Sequence, residues 1–381
     1  MIHPIRAWNR FFFQPTSAKP LGALRIGFGL LALANLAFCA VELDHWYSDA
    51  GLLQGVESSV VAGQLQLSPL HYLESPTAVR VAFGFTALAA LGLTVGWRTR
   101  LMSILFYGGM LSLHHRNTVS SSGADVLLMV FTFNMMLSPC GRAFSIDAWL
   151  ESRKRGTWAE PLILPWSVRL FQIQVSMVYA LAVILKCGGG LWMNGTALHY
   201  VLNNAEVRRL DLSFLSSLPY YPILINLMTY SALAFEFSLA FFLWFRSTRP
   251  VVIVVGFLLH LGIMATINIP IFGELMWIGY LAFLTPPEFA AFARAIDVRR
   301  WFRRAEVEPK LEIEARIKSM PGPVAMTEPI PPRSPTIRID GASPPIPAPH
   351  RTEPAPHPRS QTAREFAEEA MDPWDSFQIL M

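Results

Sequence analysis

The sequence feature that most constrains the fold is an apolar run from Val168 to Leu185. Its roughly eighteen mostly apolar residues are enough to cross the hydrocarbon core of a bilayer as a single helix. Arg169 lies at the start of the run, and Lys186 directly follows its end. Two amides inside the run, Gln172 and Gln174, are unfavourable against lipid. One face of this helix is therefore predicted to face protein.

The composition extends this conclusion to most of the chain. Of its 381 residues, 52% are hydrophobic and 15% are charged, whereas soluble domains contain roughly 25% charged residues. The formal net charge is +4, but the basic residues lie in short loops between apolar runs, which is typical of a membrane protein and not of a nucleic-acid partner. The three cysteines show no metal-ligand spacing, so no metal site is predicted.

Apolar runs and composition divide the chain into three parts. Residues 1–19 are predicted to be a basic, aromatic interfacial segment, and residues 20–305 a transmembrane domain. The predicted fold class is an all-α integral membrane protein with about eight transmembrane helices in a bundle. The predicted spans are 21–41, 77–96, 101–113, 124–137, 168–185, 223–244, 251–267 and 271–284.

Residues 306–381 form the third part, which is rich in proline and poor in aromatic residues. Such a segment buries too little apolar surface to offset its ordering entropy, so a disordered tail is predicted. Its last residues, REFAEEAMDPWDSFQILM, are either a frayed end or a peptide that docks a cytoplasmic partner.

Positive charge alternates from loop to loop along the transmembrane domain. The N-terminus, the 2–3, 4–5 and 6–7 loops and the C-terminal flank are basic, whereas residues 42–75 contain no Lys or Arg. The positive-inside rule therefore predicts a multi-pass protein of the inner cell membrane with both termini in the cytoplasm.

Ionisable residues within membrane spans are costly and are therefore candidates for function. Lys186 has two interpretations: a lysine that snorkels to the headgroups, or a desolvated amine that acts as a general base. His260 is either a satisfied interior residue or a site residue. Arg25 and Glu236 are predicted to form a buried structural pair, because either alone would be an uncompensated charge. The other residues predicted to converge on an outward-facing vestibule are His114, His115, Arg116, Asn117, Asp125, Gln174, Trp192 and Glu274. Asp125 is either a helix N-terminal cap or a site carboxylate, and Trp192 is either an interfacial anchor or a site residue.

Several stretches together resemble one family. They are FFFQPTSAKPLGALRIGFGLLAL, SIDAWL, LFQIQVSMVYALAVILKCGGGLWMNGTALHYVL and IPIFGELMWIGYLAFLTP, within residues 11–287. The chain resembles the HTTM (horizontally transferred transmembrane) family, the membrane core shared with vitamin K-dependent gamma-carboxylases and with sporulation-delaying protein maturation factor B-like proteins. The resemblance is carried by the combination of Ser145-Ile146-Asp147, Gln174 with Tyr179, Lys186, Trp192-x-x-Gly195 and His260.

The resemblance implies a carboxylase-like membrane core and roles for two residues. Lys186 matches the lysine taken to deprotonate vitamin K hydroquinone, and His260 matches the histidine that precedes the last membrane stretch. A quinone-like lipid is therefore the implied ligand. Two departures argue against transferring the whole activity: the carboxylase Asn-Asn-His stretch reads Ser122-Gly123-Ala124-Asp125 here, and the large luminal domain is replaced by the predicted tail. Propeptide-directed carboxylation is not expected.

Three functions remain open from the sequence. The first is a membrane enzyme that binds a lipid or quinone-like substrate, with Lys186 as general base. The second is a non-enzymatic factor for the maturation or export of a secreted peptide. The third is a membrane scaffold that recruits cytoplasmic partners through its tail.

Overall fold

A computed structural model describes residues 4–51, 68–71, 75–117, 122–157 and 161–296. Up to residue 293 the described part belongs to one compact unit. The predicted tail, 306–381, lies outside the described residues. In chain order the elements are α1 (Pro4–Phe13), β1 (Thr16–Ser17), α2 (Lys19–Ala40), α3 (Leu43–Tyr47), α4 (Pro76–Val95), α5 (Thr99–Arg116), α6 (Gly123–Leu137), α7 (Ile146–Arg155), β2 (Leu162–Ile163), α8 (Trp166–Cys187), α9 (Gly190–Met193), α10 (Ala197–Asn203), α11 (Tyr221–Phe242), α12 (Arg249–Thr266), α13 (Phe272–Tyr280) and α14 (Pro286–Ala295).

The described chain is mostly helical, and each of the first seven predicted spans corresponds to a helix within three residues at both ends. The last one, 271–284, corresponds to α13 and the helical turn Leu281–Phe283 that continues it. Five helices are long and apolar enough to cross a membrane: α2, α4, α8, α11 and α12. Two shorter apolar helices, α6 and the stretch Phe272–Phe283, accompany them. The protein is thus a multi-pass, membrane-type helical protein, and the count of eight crossings stays a prediction.

Local sequence signals explain where the long helices begin and end. Prolines occupy the first turns of α2, α4, α11 and α12, where the missing N–H breaks no helical hydrogen bond. Helix α6 begins with a capping box in which Ser122 and Asp125 each bond the backbone of the other. The Asp125 carboxylate therefore caps a helix.

The long helices pack in two groups that share a core. Helices α2, α4, α5 and α6 pack against one another, as do α8, α11, α12 and α13, and α2 also contacts α13. Buried phenylalanines join the two groups, with ring centroids 6.4 Å apart for Phe28–Phe131 and 5.5 Å apart for Phe131–Phe171. Aromatic pairs at these separations add to the stabilisation from burial alone.

Two contacts fix the register of the antiparallel helices α8 and α11. Lys186 near the end of α8 meets Glu236, and Trp244 just after α11 donates from Nε1 to Ser176 Oγ at 2.8 Å. The first half of α11 therefore extends beyond the end of α8. There it packs against the following segment, where Tyr230 donates to the Met193 carbonyl at 2.8 Å.

The predicted Arg25–Glu236 pair is wrong. The buried Arg25 guanidinium donates to backbone carbonyls in the turn after α6, at 3.1 Å to Cys140 O and 2.6 Å to Phe144 O, with Ala143 O at 3.4 Å. Buried carbonyls in a turn between helices need hydrogen-bond donors from outside the helices, and Arg25 supplies them. Glu236 pairs with Lys186 instead.

The end of the bundle that contains the turn after α6 carries most of the described cations, and we call it the basic end. It comprises α1, α7, α14 as far as residue 293, the starts of α2, α5, α8 and α12, and the ends of α4, α6, α11 and α13. Asp147 of α7 accepts bonds from the Arg98 and Thr99 backbone N–H groups at 2.8 and 2.9 Å, which ties α7 to the α4–α5 turn. The cations there include Arg6, Arg10, Lys19, Arg25, Arg98, Arg100, Arg142, Arg153, Lys154, Arg155, Arg169, Arg246 and Arg249.

Candidate functional site

The residues predicted to form one vestibule fall into two separate groups. The first lies at the end of α5 and the start of α6. His114 Nε2 is 3.7 Å from Asp125 Oδ1. The buried Arg116 donates to the carbonyls of Tyr47 at 3.0 Å and Leu70 at 3.1 Å.

The neighbours of Arg116 have a similar structural setting. Asn117 is buried and donates from Nδ2 to the Trp46 carbonyl at 2.9 Å. His115 is half-buried in the last turn of α5. This first group therefore holds α3 and residues 68–71 against α5.

The second group centres on Lys186. Its Nζ lies 2.5 Å from Glu236 Oε1, and the two side chains are only 9% and 11% exposed. The same ammonium lies 4.9 Å from the centre of the Trp192 ring, within the range of a cation–π interaction. Lys186 thus points into protein, which disagrees with a lysine that snorkels to the headgroups.

Glycines build the turn that places Trp192 over the Lys186 ammonium. Helix α8 ends at Cys187, Gly188 and Gly189 follow, and α9 brings the Trp192 ring back toward α8. Gly195 then takes a φ of 74°, and a Cβ there would lie 2.7 Å from Asn226 Oδ1 on α11. A left-handed backbone in such close contact requires glycine.

A second set of polar side chains lies on the same face of α8, two turns before Lys186. The Tyr179 hydroxyl is 2.7 Å from His260 Nε2 and 2.5 Å from the Tyr280 hydroxyl. All three side chains are buried, and they come from α8, α12 and α13. Gly256 makes room for Tyr280, because a Cβ at that position would lie 2.4 Å from the Tyr280 hydroxyl. We refer to Lys186, Glu236, Trp192, Tyr179, His260 and Tyr280 together as the Lys186 cluster.

Three polar atoms of the Lys186 cluster are buried and have no hydrogen bond to any described residue. They are Glu236 Oε2, His260 Nδ1 and Trp192 Nε1. Buried polar atoms are normally hydrogen-bonded, and each one left without a partner costs about 1–3 kcal/mol. The cluster therefore presents an acceptor, a donor and an imidazole nitrogen suited to a polar ligand.

Two further predicted residues lie at the edge of the cluster. Glu274 is half-buried in the first turn of α13, and its Oε2 also lacks a bond within the described chain. It follows Gly273, where an added Cβ would lie 3.4 Å from the His260 Cβ. Gln174 is half-buried and makes no hydrogen bond to a described residue. The more buried amide is Gln172, which accepts from Arg169 Nη1 at 2.6 Å and donates to the Ala282 carbonyl at 2.8 Å.

Sequence reasoning missed Tyr280 as a site residue and assigned Glu236 to the wrong partner. A detectable signal existed for Tyr179, because residues seven apart lie on one helical face and Tyr179 is seven before Lys186. No comparable spacing marks Tyr280 or Glu236, since both lie on other helices.

An apolar helical bundle that shelters an ion pair and a hydrogen-bonded Tyr–His–Tyr set defines a multi-pass membrane protein with a polar interior site. The HTTM domain family matches residues 13–287 of the 381-residue chain. The chain therefore belongs to the HTTM domain family, as the sequence predicted. Comparisons with curated proteins and with solved structures gave no match.

Proposed function

We propose that this HTTM protein binds a lipid-soluble, quinone-like molecule at the Lys186 cluster and that Lys186 exchanges a proton with it. The observation that carries the proposal is the 2.5 Å contact between Lys186 Nζ and Glu236 Oε1, made by two side chains that are about nine-tenths buried. A buried charge pair is costly compared with well-packed apolar residues, so its presence favours a functional role.

The pair provides a route for the proton. Transfer of one proton from the Lys186 ammonium to Glu236 gives a neutral amine and a neutral carboxylic acid. The amine then removes the proton of a ligand hydroxyl, which regenerates the ammonium and leaves the ligand as an oxyanion. In a site of low dielectric, the ammonium stabilises that oxyanion more strongly than water would.

The depth of the cluster supports a ligand that arrives through the membrane. Glu236 lies about two-thirds of the way along α11, and α11 extends past Lys186 toward the end opposite the basic end. If the protein has the predicted eight spans and cytoplasmic termini, we expect the cluster to lie inside the bundle, toward the outer side of the inner membrane. Carboxylation of a peptide substrate is not part of the proposal.

The test is to purify the full-length protein in nanodiscs and to identify bound lipids and quinones by mass spectrometry. Lys186→Ala and Lys186→Arg are expected to lose the bound species, whereas Lys154→Ala, an exposed lysine at the basic end, is expected to retain it. Equal occupancy in all four proteins contradicts the proposal.

The scaffold alternative gives a different result in a second experiment. A chain truncated after residue 306 is expected to bind the same species with the same dependence on Lys186. If truncation abolishes the cellular phenotype while Lys186→Ala leaves it intact, the tail carries the function. If loss of the protein affects only the maturation or export of a secreted peptide, and no lipid is bound, the maturation-factor alternative is favoured.

A further inference from the structure

Two clefts lie side by side at the basic end of the bundle. The first has a volume of about 410 Å³, the second about 400 Å³, and Phe144 and Ala148 line both. We call the first the apolar cleft, because apart from Ser145 the rest of its wall is apolar: Val95, Ile146 and Trp149. We call the second the basic cleft, because its charged lining residues are Lys19, Arg142, Arg155 and one carboxylate, Glu151.

The basic cleft keeps an excess of positive charge. Glu151 pairs with both arginines, at 3.1 Å from Arg142 Nη1 and in close contact with Arg155 Nη2. The arginine side chains remain 53% and 61% exposed. Each guanidinium has five N–H donors, so one carboxylate cannot saturate two of them. The remaining donors suit an anion with several oxygens, such as a phosphate group.

The apolar cleft opens along helix α7, which carries exposed apolar side chains beside its cations. Ile146, Trp149 and Leu150 are exposed, and Arg153 lies over the Trp149 ring at 4.7 Å. Helices of this pattern lie in the interfacial layer, with the apolar side in the acyl region and the cations among the headgroups. The helix ends at the basic end of a membrane bundle lie in that same layer.

Phe144 separates the two clefts in a fixed position. Its φ is 52°, a conformation that bulky residues rarely adopt. The buried Arg25 holds it there, because Nη2 donates to the Phe144 carbonyl at 2.6 Å. The ring is half exposed and lines both the basic cleft and the apolar cleft.

We propose that the two clefts form one binding site for an anionic phospholipid. Its phosphate lies in the basic cleft against Arg142 and Arg155, and an acyl chain follows the apolar cleft past Phe144 and Trp149. A free phosphate ion would occupy only the basic cleft, and the adjoining apolar wall favours a molecule with a hydrocarbon chain. This site is independent of the Lys186 cluster.

The experiment uses the full-length protein in nanodiscs of phosphatidylcholine with a minor fraction of phosphatidylglycerol. Native mass spectrometry measures the phosphatidylglycerol that remains bound. The Arg142→Gln/Arg155→Gln protein is expected to bind it about tenfold more weakly, from the loss of charge-assisted hydrogen bonds. A matched control, Arg100→Gln/Arg246→Gln, removes the same charge from exposed arginines at the same end but outside both clefts, and it is expected to bind normally.

Ala148→Leu provides a variant that keeps every charge. The larger side chain fills space shared by both clefts, so phosphatidylglycerol binding is expected to fall while the elution profile and circular dichroism stay unchanged. Equal weakening in the two double variants means non-specific attraction and overturns the proposal. Normal binding by Ala148→Leu overturns it as well, as does displacement of phosphatidylglycerol by inorganic phosphate at equal concentration.

Discussion

Breaking the Lys186–Glu236 pair tests the buried geometry directly. Lys186→Met leaves a buried carboxylate without its cation, and Glu236→Met leaves a buried ammonium without its anion. Because both side chains are about nine-tenths buried, each single substitution is expected to destabilise the protein by about 3–5 kcal/mol. The double substitution Lys186→Met/Glu236→Met replaces the pair with apolar side chains and is expected to be nearly neutral.

The four proteins form a double-mutant cycle, and the coupling free energy follows from their free energies of unfolding in detergent micelles. A coupling of several kcal/mol is expected for the buried pair. The matched control is Arg208–Asp211, whose side chains are 34% and 61% exposed at 3.4 Å, and no measurable coupling is expected there. If the two cycles give the same coupling, Lys186 is not sheltered by protein, and the proposed acid–base role loses its physical basis.

Three further results are expected. In thermal unfolding, Gly96→Ala should destabilise the protein by more than about 2 kcal/mol, because φ is 73° and the new Cβ would lie 2.4 Å from Arg25 Nη1. The control Gly84→Ala, where an added Cβ meets nothing within 4 Å, should be neutral or slightly stabilising. Arg25→Met should cost at least about 3 kcal/mol, from two or more charge-assisted bonds of about 1.5 kcal/mol each, and a loss equal to that of an exposed arginine contradicts this reasoning. Burial alone would raise the Glu288 pKa, but bonds from Thr285 and the Arg249 charge hold that pKa below its ordinary value of 4.5. The stabilisation from Glu288 is therefore complete above about pH 4.5 and lost as the pH falls through the folded-state pKa. In Glu288→Gln the melting temperature should fall less steeply below about pH 4.5 than in the unmodified protein. The same steepness in both proteins contradicts the stabilising role of the Glu288 carboxylate.

The positions of the helices could be predicted closely because the length and apolarity of each run indicate a membrane-spanning helix. The run 168–185 predicted a helix that the structure places at Trp166–Cys187. Proline and glycine then set the boundaries, as at Pro76 and Gly96 of α4. These signals are local, so no knowledge of neighbouring helices is needed.

The partners of the buried charges could not be predicted, because hydropathy gives neither the rotation of a helix nor its offset along a neighbour. Arg25 and Glu236 both lie in the predicted inner halves of their spans, which made them a plausible pair. In the structure α11 is shifted along α8, so that Glu236 reaches Lys186. The carbonyl acceptors of Arg25 belong to residues 140–144, which approach α2 only after folding. Such non-local backbone acceptors leave no trace in the sequence.

The two hydrogen bonds of Tyr179 link the positions of the protons on Tyr179, His260 and Tyr280. A single phenolic proton serves only one of two partners, so Tyr179 donates to His260 and accepts from Tyr280, or the reverse. Which arrangement holds depends on the imidazole tautomer of His260, since Nε2 is either the bare nitrogen or the protonated one. Moving that proton from one ring nitrogen to the other would reverse the donor and acceptor roles in both hydrogen bonds of Tyr179. Side chains on three helices would thus switch together between two hydrogen-bonding arrangements.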